Sequence, residues 1–126
     1  MKKYTQFDLE EMGYNVENVL IDSVDLSMDD HGILVMSIGI SGSGWGCTIG
    51  SYAIGKGYLG AKDFSGSPKG IESIMRIMDT VGVSRMSDMK GKYIRVASKG
   101  WGSIIKIFGN IIEDKWFDYE SFFSDD

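Results

Sequence analysis

One histidine and one cysteine occur in 126 residues, so the side chains that most often run acid–base or nucleophilic chemistry are scarce. His31 falls in Asp29-Asp30-His31-Gly32, a run of turn formers, and reads as a polar turn residue. Cys47 lies two residues after Trp45 in a predicted strand and reads as a small buried hydrophobe. A small enzyme using Cys47 or His31 needs the hairpins to fold so that the two side chains meet. A single Cys and a single His give no zinc site of the usual Cys/His kind. The carboxylates cluster in turns and tails, which is no sign of acid–base work. The expectation is therefore no catalytic residue, no metal and no cofactor.

The one literal motif is Gly55-Lys56-Gly57-Tyr58-Leu59-Gly60, a G-x-G-x-x-G that follows a predicted strand. A dinucleotide fold needs such glycines to open a helix directly, so that the pyrophosphate meets the helix N-terminus. Here the helix begins only at Pro68, in antiparallel surroundings, and no Gly-Lys-Ser/Thr completes a P-loop. A looser reading keeps the segment as an anion or nucleotide site. Lys56, Lys62, Ser67 and Lys69 stand close to Gly55, Gly57, Tyr58 and Gly60, and a helix N-terminus offers free N–H groups. The plainer reading, a surface loop whose glycines permit tight turns, is favoured.

Charge is unevenly spread over the net −5. Residues 1–30 carry −6, residues 84–106 carry +5 and residues 107–126 carry −5. The acidic total argues against non-specific nucleic-acid binding, which needs positive charge against phosphate. The basic run Arg85, Lys90, Lys92, Arg95, Lys99 and Lys106, with Tyr93 and Trp101, fits a nucleic-acid groove. A better fit is that it complements the acidic termini, within the chain or across a homodimer. The acids Asp22, Asp25, Asp29 and Asp30, or Asp118 and Glu120 with Asp125 and Asp126, suit a basic surface on a partner protein. Ordinary surface solvation competes with that reading.

These residues must be positioned by one domain spanning 1–126. Val19 to Met28 predicts a strand with Leu20, Val24, Leu26 and Met28 on one face; Ile33 to Ile40 predicts its hairpin partner and Trp45 to Ile54 a third strand. Ser67 caps a helix from Pro68, with Ile71, Ile74, Met75, Met78 and Val81 as its buried stripe and Gly82 as its stop. Lys92 to Ala97 and Gly102 to Phe108 read as a second hairpin, and Gln6 to Met12 and the residues after Asp118 as short helices. The expected fold is α+β: a three-stranded antiparallel meander plus a C-terminal β-hairpin, packed on one central amphipathic helix. A lone cysteine, the lack of a basic-then-apolar leader and the short apolar runs suggest a cytoplasmic protein with no membrane segment.

Five segments together carry a resemblance: residues 26–32 (LSMDDHG), 44–47 (GWGC), 55–60 (GKGYLG), 76–83 (RIMDTVGV) and 109–118 (GNIIEDKWFD). The chain resembles, from about Asp22 to Phe117, a family of short uncharacterised bacteriophage and prophage proteins. The likeness implies an origin and supplies no catalytic residues. Small acidic phage accessory proteins are often host-directed inhibitors, anti-CRISPR proteins among them. The resemblance thus implies a non-enzymatic protein that binds and inhibits a host defence component, a protein or nucleoprotein complex in the bacterial cytoplasm, through the acidic patches. The alternative it implies is a signal sponge binding a small ligand or nucleotide at residues 55–69.

Overall fold

The residues 2–57, 60 and 63–124 of a computed structural model are described here. Their centre is a single long strand, β1 (Asn15–Asp30), whose Val and Ile content suits extended, half-buried backbone. It pairs antiparallel with β2 (Ile33–Gly42) over its second half and with β5 (Tyr93–Ser98) over its first. β3 (Trp45–Lys56) follows β2 and takes the two-residue β4 (Ser65–Gly66) at its far end. On the other flank, β6 (Ile107–Gly109) and β7 (Trp116–Asp118) complete a seven-stranded antiparallel sheet in the order β4-β3-β2-β1-β5-β6-β7. The sheet curls into a half-barrel.

This corrects the expected architecture. The meander and the C-terminal strands are one sheet joined through β1, and no central helix organises it. The physical reason is the length of β1: at 16 residues it has room for different neighbours at its two ends, whereas the expected strand began only at Val19. The return strand of the C-terminal pair is also shorter than expected, Ile107–Gly109 rather than Gly102 to Phe108, and β7 was not anticipated.

A β-bulge decides which side chains reach the core. Ile21 pairs with Ile40 and Ser23 with Gly39, so Asp22 is an extra residue in β1. One extra residue flips the alternation. Val19 and Ile21 therefore point into the core before it, and Val24 packs there after it, while Leu20 lies on the opposite face from Val24. The uniform face Leu20-Val24-Leu26-Met28 does not exist, and Leu26 is half exposed.

Helix α2 (Pro68–Val81) forms where the sequence places it, with the Ser67 side chain accepting from the Gly70 N–H and Gly82 in the left-handed region. Its buried face is rotated from the expected stripe. Gly70, Ser73, Ile77, Thr80 and Val81 face the sheet, whereas Ile71 is 61% and Met75 66% exposed. Close approach explains the rotation, because a Cβ at Gly70 would stand 2.5 Å from the Ile54 Cβ and 2.8 Å from its carbonyl oxygen. The buried hydroxyls donate to the helix's own carbonyls, Ser73 to Gly70 at 2.6 Å and Thr80 to Arg76 at 2.8 Å, so small polar residues sit there without loss.

On the outer face, α1 (Gln6–Glu11) lays Leu9 over Ala97, Ile107 and Trp116 in a separate small core. A 3-10 turn (Met86–Asp88) leads into β5, and α3 (Tyr119–Ser124) ends the described chain. The Gly70 contact generates a prediction. Gly70→Ala gains about 1 kcal/mol of helix propensity, yet overpacks Ile54, and a net loss of about 1–2 kcal/mol is expected in urea denaturation. A raised midpoint would refute the close docking of α2.

Candidate functional site

The acidic residues divide into two groups. Asp22, Asp25, Asp29 and Asp30 are exposed along β1 and its turn. Asp25 lies between Ser23 and Ser27 on the outer face, opposite Ser37. Asp22 accepts from the Ser41 hydroxyl at 3.2 Å and Asp30 meets the His31 Nδ1 at 2.5 Å. Among the described residues none of these four forms an ion pair with a lysine or arginine. Asp118 and Glu120 are used internally instead. Asp118 is buried, accepts from the Tyr4 hydroxyl at 2.9 Å, and caps α3 by accepting from the Ser121 N–H at 3.1 Å. Burial, then the bond to Asp118, pushes the Tyr4 hydroxyl pKa upward. Glu120 holds Lys106 at 3.1 Å, and that hydrogen bond raises the lysine's pKa.

Half of the basic segment is consumed in the same way. Arg95 donates to the carbonyls of Asn110 and Glu113 and to the Gln6 side chain, and its guanidinium lies 4.7 Å from the Trp116 ring centre. Lys99 donates to the Met12 carbonyl and sits over Tyr14. Arg85, Lys90 and Lys92 remain exposed. Trp116, under the Arg95 guanidinium, is buried.

In the Gly-rich loop, packing explains Gly55 and Gly57. Gly55 and Lys56 pair with Gly66 and Ser65, Gly57 is buried with its N–H on the Gly32 carbonyl, and Phe64 lies against Gly57. Ser67 is the helix cap, and the Lys69 ammonium stands 5.3 Å from the Phe122 ring centre. Gly60 is exposed; Tyr58 and Lys62 lie outside the described residues. None of the loop's described residues lines either cavity below. Cys47 and His31 do not meet, because β2 separates them: His31 precedes Ile33, and Cys47 pairs with Ile40, about 25 Å further along. Cys47 is exposed rather than buried, and partial desolvation raises its thiol pKa. Among the described residues no three His, Cys, Asp or Glu side chains converge as metal ligands, and no helix is long and apolar enough to cross a membrane.

Two concavities lie between β3 and the segment joining β5 to β6. The larger, of about 610 Å³, is lined by Asn15, Glu17, Trp45, Cys47, Ser98 and Trp101, among others. Asn15 and Glu17 reach it because they continue the core-facing side of β1 beyond Val19, opposite Ser98 and Val96. Trp45 lies flat on its cross-strand neighbour Gly42, and Trp101 is 95% exposed between two glycines. The smaller, of about 230 Å³, is lined by Thr48, Gly50, Ser51, Tyr52, Ile105 and Lys106, among others. Sequence reasoning missed this region; its visible signal was tryptophan flanked by glycine at Gly44-Trp45-Gly46 and Gly100-Trp101-Gly102.

Beside the smaller concavity the Tyr119 hydroxyl is buried without a hydrogen-bond partner among the described residues and would stand 3.1 Å from a Cβ at Gly50. Burial raises its pKa. Its ring stacks on Tyr52 at 5.4 Å. Tyr119→Phe should therefore be neutral or gain up to about 1 kcal/mol, since it removes an unpaired polar atom and keeps the ring. Tyr119→Ala should lose about 3–5 kcal/mol. Chemical denaturation of the pair checks this, and a costly Phe variant would reveal a bound partner for the hydroxyl. No family model, no curated protein and no solved structure matches this chain.

Proposed function

We propose that the protein acts by stoichiometric binding to a basic surface of another protein, a host defence component that it inhibits. The supporting observation is the charge left over once internal pairing is complete. Arg95, Lys106 and Lys115 are spent on holding the C-terminal loops and α3 and Lys99 on the end of α1, while Asp22, Asp25, Asp29 and Asp30 stay exposed along β1 and its turn. Uncompensated carboxylates on a rigid strand attract a cationic partner over a Debye length and orient it, at little cost in side-chain entropy for short aspartates. The likeness to short phage proteins supplies the choice of host defence as target. Asp118 and Glu120 drop out of the contact surface, since one is buried and the other neutralised. Nucleotide binding at Gly55–Lys69 has less behind it, because close packing already accounts for Gly55 and Gly57, helix capping for Ser67, and none of the loop's described residues lines either concavity.

The experiment is a plaque assay in a defended host expressing the protein. The wild type should protect a sensitive phage. The triple variant Asp25→Lys, Asp29→Lys, Asp30→Lys should lose protection at least tenfold while melting at an unchanged temperature, because all three side chains are exposed. Full protection by the folded triple variant would reject the acidic row as the contact surface.

A further inference from the structure

β3 has an open edge. Among the described residues its only neighbour besides β2 is β4, which touches it at Gly55 and Lys56 alone. From Trp45 to Ala53, no backbone N–H or C=O finds a partner among the described residues outside the β2 ladder. Unpaired strand edges are templates for another extended chain, and proteins normally cover or blunt them. Here both concavities run beside this edge. Gly44 to Cys47 line the larger and Thr48 to Tyr52 the smaller, so a trough follows the strand for about 30 Å. The facing wall is the irregular segment from Ser98 to Lys106, with Ile105 shared by both concavities.

We propose that this trough takes an extended peptide segment of the basic partner, added as a strand on β3 between Trp45 and Ile49. The regular run ends there because Gly50 and Ser51 are both at positive φ and the register with β2 slips between Gly50 and Ala53, a bulge. The occupant's chemistry follows from charge. Glu17 lines the Trp45–Trp101 end, is exposed, and has no ion pair among the described residues. A carboxylate in a concavity that two tryptophans also line selects an ammonium or guanidinium group. The segment therefore carries a lysine or arginine at that end, with β-branched residues along the strand. Lys106, at the other end, is already neutralised by Glu120.

This inference rests on the reading of a basic protein partner, and the experiment separates the two. A displayed library of random ten-residue peptides is selected on the intact protein. Recovered peptides should be β-branched with Lys or Arg, and their binding should slow amide exchange at Trp45–Ile49. Affinity should fall about tenfold or more in Trp101→Ala and in Glu17→Lys. Trp101→Ala removes an almost fully exposed side chain, so folding is retained. The Asp25/Asp29/Asp30 lysine variant should still bind the peptides. Peptides that leave β3 exchange unchanged, or no enrichment at all, would overturn the proposal. Protection of Trp45–Ile49 in the free protein, with dimer formation by sedimentation, would assign the edge to a second copy and overturn it too. In the plaque assay, loss of protection in the triple-lysine variant but not in Trp101→Ala removes the trough and keeps the acidic row; the reverse pattern keeps the trough and removes the row.

Discussion

The curl of the sheet is held by a stack of rings that joins its two flanks. Tyr52 on β3 lies nearly parallel to Tyr119 and Phe123 of α3, with ring centres 5.4 and 4.9 Å away and interplanar angles of 4° and 5°. Offset parallel stacking of this kind adds to the burial of the rings themselves. It demands that β3 let a tyrosine lie against its backbone. Gly50 meets that demand: a Cβ there would stand 2.8 Å from the Met36 carbonyl oxygen and 3.1 Å from the Tyr119 hydroxyl. The bulge at Gly50 and Ser51 then turns Tyr52 and Ile54 to the same face as Ile49. At the other flank, Asp118 starts α3 immediately after β7, which is what delivers Tyr119 to Tyr52.

Because the flanks are tied in this way, the charges near them become structural. Lys106 and Glu120 bridge the β6 entrance and α3 beside the stack. Arg95 on β5 fastens the loop between β6 and β7, and Asn110 in that loop donates to the Thr80 and Val81 carbonyls at the end of α2. The basic C-terminal third thus acts as a clamp on the half-barrel. Asp22, Asp25, Asp29 and Asp30 of β1 take no part in this closure and stay in water.

Local signals in the sequence were readable wherever they acted alone. Ser67-Pro68 and Gly82 bracket α2, Asp29 to Gly32 marks the β1–β2 turn, and Asp118 caps α3. Signals that depend on register were not. Leu20 and Val24 share an alternation that the bulge at Asp22 breaks, and nothing in the residue types announces an extra residue there. The stripe Ile71-Met75 has the helical period, yet Gly70 wins the interface because backbone contact with Ile54 brings α2 closer than bulky side chains would allow. The trough was hidden for the same reason: Glu17, Trp45 and Trp101 are far apart in the chain and become neighbours only through the curl.

An exposed edge is a hazard, and three features of this one limit indiscriminate pairing. The bulge after Gly50 shifts the register of β3, so a long, flat, register-free partner meets an irregular edge there. The net charge of −5 repels other copies of the same chain at close range. Trp101 and Ile104, standing exposed on the facing wall, put bulky side chains beside the edge that an incoming sheet would have to clear. Restricting length, charge and width together turns an aggregation-prone feature into a selective one, since each restriction excludes a different class of wrong partner.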